Sequence, residues 1–274
     1  MGITLLMGSY IFYAFQGTVA SVSSAELVEP SPVMYTQSKV SPMLSASAWG
    51  IFDVSSGKII DGNNIDTILP MASVSKLFTA VTVVESHDRD SFLNITDDDV
   101  KTEGTAGNLN RGDVFTPYML LYPLLLTSSN DASEAIRRFL GDTFQKIIRD
   151  DTKLLGLNDT NLIDASGLSA QNVSTVSDLA KFYAYIHNTY PHLLDITQLH
   201  TYIHDDKGYI NNNPGRDFKT FIGGKHGYTP EAQFTFVGGF VLLHQGTNIG
   251  IVLLGSKNLR ADIQTILSTY DIEA

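Results

Sequence analysis

The sequence predicts an α+β protein: an antiparallel five-stranded sheet flanked by helices, with an all-helical lobe inserted between its strands. Three observations carry this expectation. Two strand-like runs stand early in the chain and three stand late, helical patterns fill the middle, and a last amphipathic stretch closes the chain. A sheet whose strands lie so far apart in sequence has to be assembled from chain-distant pieces around the helical insert.

Residues 45–64, "SASAWGIFDVSSGKIIDGNN", hold the two early runs, joined at Ser55-Ser56-Gly57-Lys58, a hairpin signal. Pro70 precedes an apolar stretch from Ala72 to Ser86 that contains neither glycine nor proline. Val74, Leu77, Phe78 and Val81 recur there at helical spacing, which predicts a buried helix. Residues 87–114 are polar and rich in turn formers. Thr116-Pro117 reads as the cap and first turn of the next helix, which Pro123 should kink or shorten. Ser128-Ser129-Asn130 interrupts it, and "DASEAIRRFLGD" restarts a helix with Asp131 and Glu134 as a capping pair. Two more helices are expected near 142–154 and 177–189. The three late strands are "FKTFIGGKHGYT", "QFTFVGGFVLLHQ" and "NIGIVLLGSK", the last two forming a hairpin around Gly246. "LRADIQTILSTYDI" is the closing helix.

The chain has 274 residues, 43% of them hydrophobic and 17% charged, enough to bury a substantial core. Its net charge of −11 argues against nucleic acid as a partner, since that role needs a basic surface. With no cysteine, disulfides, thiolate metal sites and cysteine nucleophiles are excluded. The first charge is Glu26, and Ile3 to Phe15 is mostly apolar, so residues 1–25 read as a signal peptide or short membrane anchor. Residues 26–42, with three prolines and no periodicity, read as a linker. Either reading of the start places the remainder outside the cytoplasm.

Ser73 and Lys76 lie three residues apart, one helical turn, so both side chains share a face of the predicted helix. Burial penalises the charged form of a lysine, and a second cation nearby penalises it further; a neutral lysine beside a serine hydroxyl is a competent general base. Lys225, in "GGKHGYT", supplies that cation near the end of a strand, and Gly227 would let a ligand backbone come close to the strand edge. Ser128 and Asn130 sit between these two elements, in a break between helices. Two decoys repeat the letters: Ser55 to Lys58 falls in a hairpin turn, and Ser256-Lys257-Asn258 comes after the lysine-glycine strand. His200 and His204, four apart, would suit a metal only on a helix, and "HTYIHDD" is strand-like, so no metal is expected. No glycine-rich phosphate loop is present and no cofactor is expected.

Serine-x-x-lysine on a helix, serine-x-asparagine in an interhelical loop and lysine-x-glycine on a late strand form a specific combination. In these residues the chain resembles the penicillin-recognising serine enzymes, and most of all the low-molecular-mass D-alanyl-D-alanine carboxypeptidases. "DVSSGKII", "LPMASVSKLFTA", "LLLTSSNDASEAI", "LLGLNDTNLIDASGLS" and "STVSDLAKF" follow that family's local patterns in its order. The resemblance implies a β-lactamase/transpeptidase-like fold, with residues 43–274 as the catalytic domain and the helical lobe at about 90–198. It implies Ser73 as the nucleophile, Lys76 as its base, Ser128 as a proton relay, Asn130 as the holder of Lys76 and the substrate amide, and Lys225 as the source of positive charge. Backbone N–H groups of Ser73 and Tyr228 would form the oxyanion hole. The implied substrate is a peptidoglycan stem peptide ending in D-Ala-D-Ala, with β-lactams as covalent inhibitors. One position departs from the pattern. His226 stands where the family has threonine or serine, whose hydroxyl helps bind the substrate carboxylate; a histidine would donate there instead, more strongly when protonated, so activity is expected to fall as His226 loses its proton.

Two other functions share these motifs. A class A β-lactamase needs a glutamate-activated water, and "KLLGLNDTN" lacks that glutamate, Glu134 lying within a helix instead. A non-catalytic cell-wall binding domain is favoured only by His226.

Overall fold

The computed structural model describes residues 42–104, 107–242 and 248–270. The expectations for a signal or anchor at 1–25 and for a linker up to 41 lie outside them. In chain order the elements are β1 (Ala48–Asp53), β2 (Ile59–Asn63), β3 (Leu69–Pro70), α1 (Ser75–Glu85), β4 (Leu93–Asn94), β5 (Val114–Phe115), α2 (Pro117–Leu126), α3 (Asn130–Leu140), α4 (Asp142–Leu154), β6 (Val173–Ser174), α5 (Val176–Thr189), α6 (Pro191–Gln198), β7 (Thr201–His204), β8 (Lys207–Ile210), β9 (Phe221–Thr229), β10 (Gln233–Val241), β11 (Asn248–Ser256) and α7 (Leu259–Thr269).

The main sheet has the order β2-β1-β11-β10-β9, and every neighbouring pair is antiparallel. The early hairpin therefore joins the late strands through β1 and β11, where Ile51 faces Ile251 and Phe52 faces Gly250. Gly250 leaves room for the Phe52 ring, whose Cζ lies 1.9 Å from where a Cβ would sit. The expected five-stranded antiparallel sheet with a helical insert is the observed one.

Helix α1 is the axis of the molecule, with ten of its eleven residues buried. Six of the ten are apolar and pack into the surrounding core, while Ser75, Lys76, Thr79 and Thr82 are polar groups buried with them. The helix packs on α2, α3 and α4. Near its N-terminal end Phe78 stacks on Phe182 of α5, with centroids 3.6 Å apart and planes 5° from parallel. Burying each such aromatic or aliphatic side chain contributes about 1.5–3 kcal/mol, so α1 is fixed firmly at the centre of the core. Helix α5 packs against the sheet, and its Tyr183 hydroxyl donates to the Gly223 carbonyl at 2.9 Å.

Several details differ from expectation. The helix predicted from Ala72 begins as a 3₁₀ turn, Ala72–Val74, because Ala72 has φ +46° and the α-helical ladder starts only at Ser75. Helix α3 is capped not by Asp131 but by Ser129, whose Oγ accepts from the Ala132 N–H at 3.0 Å. Pro123 lies within α2, which ends three residues later at Leu126. Helix α6 was not expected, and the "HTYIHDD" stretch forms the start of a small β7–β8 hairpin.

Candidate active site

The 3₁₀ turn before α1 presents Ser73 half-buried and Lys76 fully buried one turn later. Lys76 Nζ lies 2.9 Å from Ser73 Oγ, 2.8 Å from Asn130 Oδ1 and 2.6 Å from the Ser166 carbonyl oxygen. A neutral amine has two N–H donors and one lone pair. Asn130 and Ser166 offer acceptors only, so they take both N–H groups and leave the lone pair for the Ser73 hydroxyl. The electrostatics agree. Burial, followed by the neighbouring Lys225 charge, holds the Lys76 amine well below the usual lysine range, with the Asp164 carboxylate opposing them.

Asn130 opens α3 and is itself clamped: its Nδ2 donates to the Glu103 carbonyl at 2.7 Å, which fixes which end of the amide faces Lys76. Ser128, half-buried in the break between α2 and α3, has φ +60°, a conformation that costs a non-glycine residue about 1–3 kcal/mol. Ala72, beside Ser73, is held in the same left-handed region. Both strained residues adjoin the proposed chemistry.

On β9, the edge strand of the sheet, Lys225 is fully buried and donates to the His226 carbonyl at 2.6 Å. Burial brings its pKa down to about 7. At Gly227 a Cβ would lie 2.4 Å from the Ser73 nitrogen and 2.9 Å from Thr235 Oγ1, so the glycine lets β9 close on the turn that carries Ser73. Tyr228 follows at the exposed end of the strand, its ring 4.7 Å from Phe234. The three sequence motifs therefore converge, with Ser73, Lys76 and Asn130 in direct contact and Gly227 against Ser73.

His226 behaves differently from its sequence expectation. Burial, then the charges of Lys225 and Lys76, push its pKa down to about 3, so the imidazole is neutral wherever the enzyme would work and cannot act as the proposed protonated donor there. Its Nδ1 is buried with no hydrogen-bond partner. The ring lines a cavity of about 330 Å³ together with Asn212, Phe234, Lys257 and Arg260.

The Ser166 carbonyl was not anticipated as part of the site. It lies in "DASGLS", a stretch whose pattern was noticed but whose contribution is a main-chain atom, which residue identity does not announce. The local signal was present as an aspartate followed by serine and glycine. Of the decoys, Ser55 and Ser56 are occupied with the Asp53 carboxylate, Ser256 donates to Asp262 and Asn258 caps α7. His200 contacts Arg216 at 2.7 Å, and His204 lies against Phe115. Glu134 pairs with Arg137 on the same helix.

Comparison with known proteins agrees with this arrangement. Residues 35–258 match the family described as D-alanyl-D-alanine carboxypeptidase. A D-alanyl-D-alanine endopeptidase of Haemophilus influenzae is 30% identical over 230 residues, 78% of this chain and 76% of that protein. The D-alanyl-D-alanine carboxypeptidase DacB2 of Mycobacterium tuberculosis is 29% identical over 70% of this chain and 69% of its own length. Among solved structures, a D-alanyl-D-alanine carboxypeptidase from Mycobacterium tuberculosis H37Rv superposes with a TM-score of 0.77 at 26% identity, covering 86% of this chain and 95% of that one. Penicillin-binding protein D2 of Listeria monocytogenes, solved with cefotaxime bound, gives 0.74 at 26% identity over 85% and 100% of the two chains.

Proposed function

Since the chain belongs to the D-alanyl-D-alanine carboxypeptidase family, and is thus a serine D,D-peptidase of the penicillin-binding kind, we propose that its reaction is run by Ser73, Lys76, Ser128, Asn130 and Lys225. The close approach of Lys76 Nζ to Ser73 Oγ, with Asn130 and Ser166 as its two other acceptors, is the observation that supports this most directly.

In this reading the Ser73 oxygen attacks the carbonyl carbon of the terminal D-Ala-D-Ala bond as its proton passes to Lys76 Nζ. The oxyanion is met by the backbone N–H groups of Ser73 and Tyr228, each donor contributing about 2.7–4 kcal/mol in chemistry of this kind. Ser128 carries a proton onto the departing D-alanine nitrogen, and the C–N bond breaks to leave an ester on Ser73. Water then attacks that ester, the Ser73 hydroxyl reforms, and the shortened stem peptide leaves. Lys225 supplies positive charge to the oxyanion and to the substrate carboxylate. His226, Gly227 and Tyr228 line the substrate side, and the basic cavity holding Lys257 and Arg260 suits a carboxylate.

Peptidoglycan is the substrate class, so the protein acts outside the cytoplasm. β-Lactams, found in the solved structure of the Listeria relative, would acylate the same serine. Residues 1–25 would export or anchor the chain and 43–274 would be the catalytic domain, its helical lobe spanning about 90–198; among the described residues no helix is long and apolar enough to cross a membrane. The deciding experiment is covalent labelling with a fluorescent penicillin. Labelling of the wild type that disappears in Ser73→Ala is expected; labelling that survives the substitution overturns the assignment. The label should also persist, since no glutamate stands in the 153–161 stretch "KLLGLNDTN" to activate a deacylating water.

A further inference from the structure

Residues 164–169 form a tight loop wound around one carboxylate. Asp164 Oδ1 accepts from the Ser166 N–H at 2.8 Å, the Ser166 hydroxyl at 2.9 Å and the Gly167 N–H at 2.6 Å, while Oδ2 accepts from the Ser169 N–H at 2.7 Å. Four donors from the loop converge on this one side chain.

Three ties bind this loop to α1. The Thr79 hydroxyl donates to the Ala165 carbonyl at 2.6 Å, and Lys76 Nζ donates to the next carbonyl, that of Ser166, also at 2.6 Å. Asn172, fully buried, bridges the two elements. Its Oδ1 accepts from the Ile163 and Asp164 N–H groups, and its Nδ2 donates to the Asp164 carbonyl and reaches Ser75 Oγ at 3.1 Å. The loop also presses on the turn that carries the nucleophile. Gly167, at φ +86°, has so little room that a Cβ would lie 1.9 Å from the Ala72 carbonyl oxygen.

We propose that Asp164 is a positioning residue for the Ser73–Lys76 pair: by closing the 164–169 loop on itself it fixes the Ser166 carbonyl as the second acceptor that turns the Lys76 lone pair onto Ser73. Without that carbonyl an N–H of Lys76 is free to rotate onto Ser73 Oγ, and the amine then donates where it has to accept. Asp164 acts on the same amine through space as well. The titratable groups facing Lys76 are Lys225 and His226 from β9 and Asp164 from the loop; Lys225 works against the protonated amine and Asp164 works for it. The inference rests on Ser73 and Lys76 being nucleophile and base.

The test measures how fast a fluorescent penicillin acylates Ser73, across about pH 5 to 9, in wild type and in Asp164→Asn. Loss of wild-type labelling specificity for Ser73 would defeat the underlying reading and not this inference, so the two failures separate. Asp164→Asn keeps one oxygen for the Oδ1 contacts but loses the Ser169 acceptor and the charge. Acylation should slow by roughly 10- to 100-fold through misplacement of the base. The acid limb of the profile should also move to lower pH, because the group that favoured the protonated Lys76 is gone. A purely architectural role would lower the melting temperature without moving that limb, so an unmoved limb or a wild-type rate overturns the proposal. If Asp164→Asn does not fold, Ser75→Ala replaces it. That substitution cuts the Asn172 tie and leaves the Asp164 charge in place, so it must slow acylation with the acid limb unmoved; an unchanged rate overturns the proposal.

Discussion

Gly227 and Ser73 come together from distant parts of the chain so closely that the strand and the Ser73 turn share one van der Waals surface: a Cβ on Gly227 would stand 2.4 Å from the Ser73 nitrogen. That nitrogen is a proposed oxyanion donor, so any side chain at 227 pushes the donor out of place. Gly227→Ala should cost about 1–3 kcal/mol of stability and slow penicillin acylation of Ser73 by about 100-fold. Thermal unfolding and stopped-flow labelling read the two effects; a rate near that of wild type would show that the turn yields at no cost to the chemistry.

The pH profile should be governed by the two lysines. The proposed reaction needs Lys76 neutral and Lys225 charged, and burial brings Lys225 down to about 7 in the free protein. The second-order acylation rate should therefore fall on the alkaline side of about 7, by about tenfold per pH unit. Lys225→Arg, whose guanidinium stays charged, should carry that limb to higher pH. His226→Thr should leave both limbs where they are, because the imidazole is already neutral. A limb that follows the His226 substitution would contradict the assignment.

Stability should carry the mark of the same buried amine. The folded pKa of Lys225 is about 7, against roughly 10.4 in an unfolded chain. Between these values the unfolded chain binds more protons, so stability rises with pH over that window and is lost as pH falls toward 7. Lys225→Met removes this contribution. The variant should melt about 5 °C higher than wild type near pH 7, with the gap closing toward pH 10. Differential scanning calorimetry at the two ends checks this; a gap that does not vary with pH would refute it.

Asp131 shows the opposite sign. It is fully buried at the start of α3 with neither carboxylate oxygen hydrogen-bonded, and burial followed by the nearby Asp99 charge pushes its pKa up to about 6. Asp99 is itself paired with Arg138 through two hydrogen bonds, so it offers Asp131 no relief. The folded state holds a proton on Asp131 that the unfolded state has already released, and this contribution is present at low pH and lost as pH rises through 6. Asp131→Asn should raise the melting temperature by about 2–4 °C above pH 7 and bring no gain at pH 4. A gain of equal size at both pH values would assign the effect to packing.

Side-chain spacing made α1, both sheet hairpins and the serine-lysine pair legible, because a buried helix and half-buried strands impose periods of 3.6 and 2 on apolar residues. What escaped was carried by the main chain or by geometry. Helix α6 is eight residues long, too short for its period to emerge, and the left-handed Ala72 that starts α1 as a 3₁₀ turn has no compositional signature. Ser129 and not Asp131 is the cap because α3 starts at Asn130, which puts Asp131 inside the first turn. The Ser166 carbonyl carries no residue identity at all. The titration of His226 was misjudged for a related reason: its position in the strand was visible, but the burial that decides its charge was not.

The pairing of β1 with β11 sets the order in which this protein can mature. Strand β1 ends at Asp53, and its hydrogen-bonding partner begins at Asn248. Ser73 and Lys76 are therefore synthesised long before the last strands that complete the sheet. Closing so long a loop is entropically slow, and activity should emerge in a single late step, after nearly the whole chain has become available.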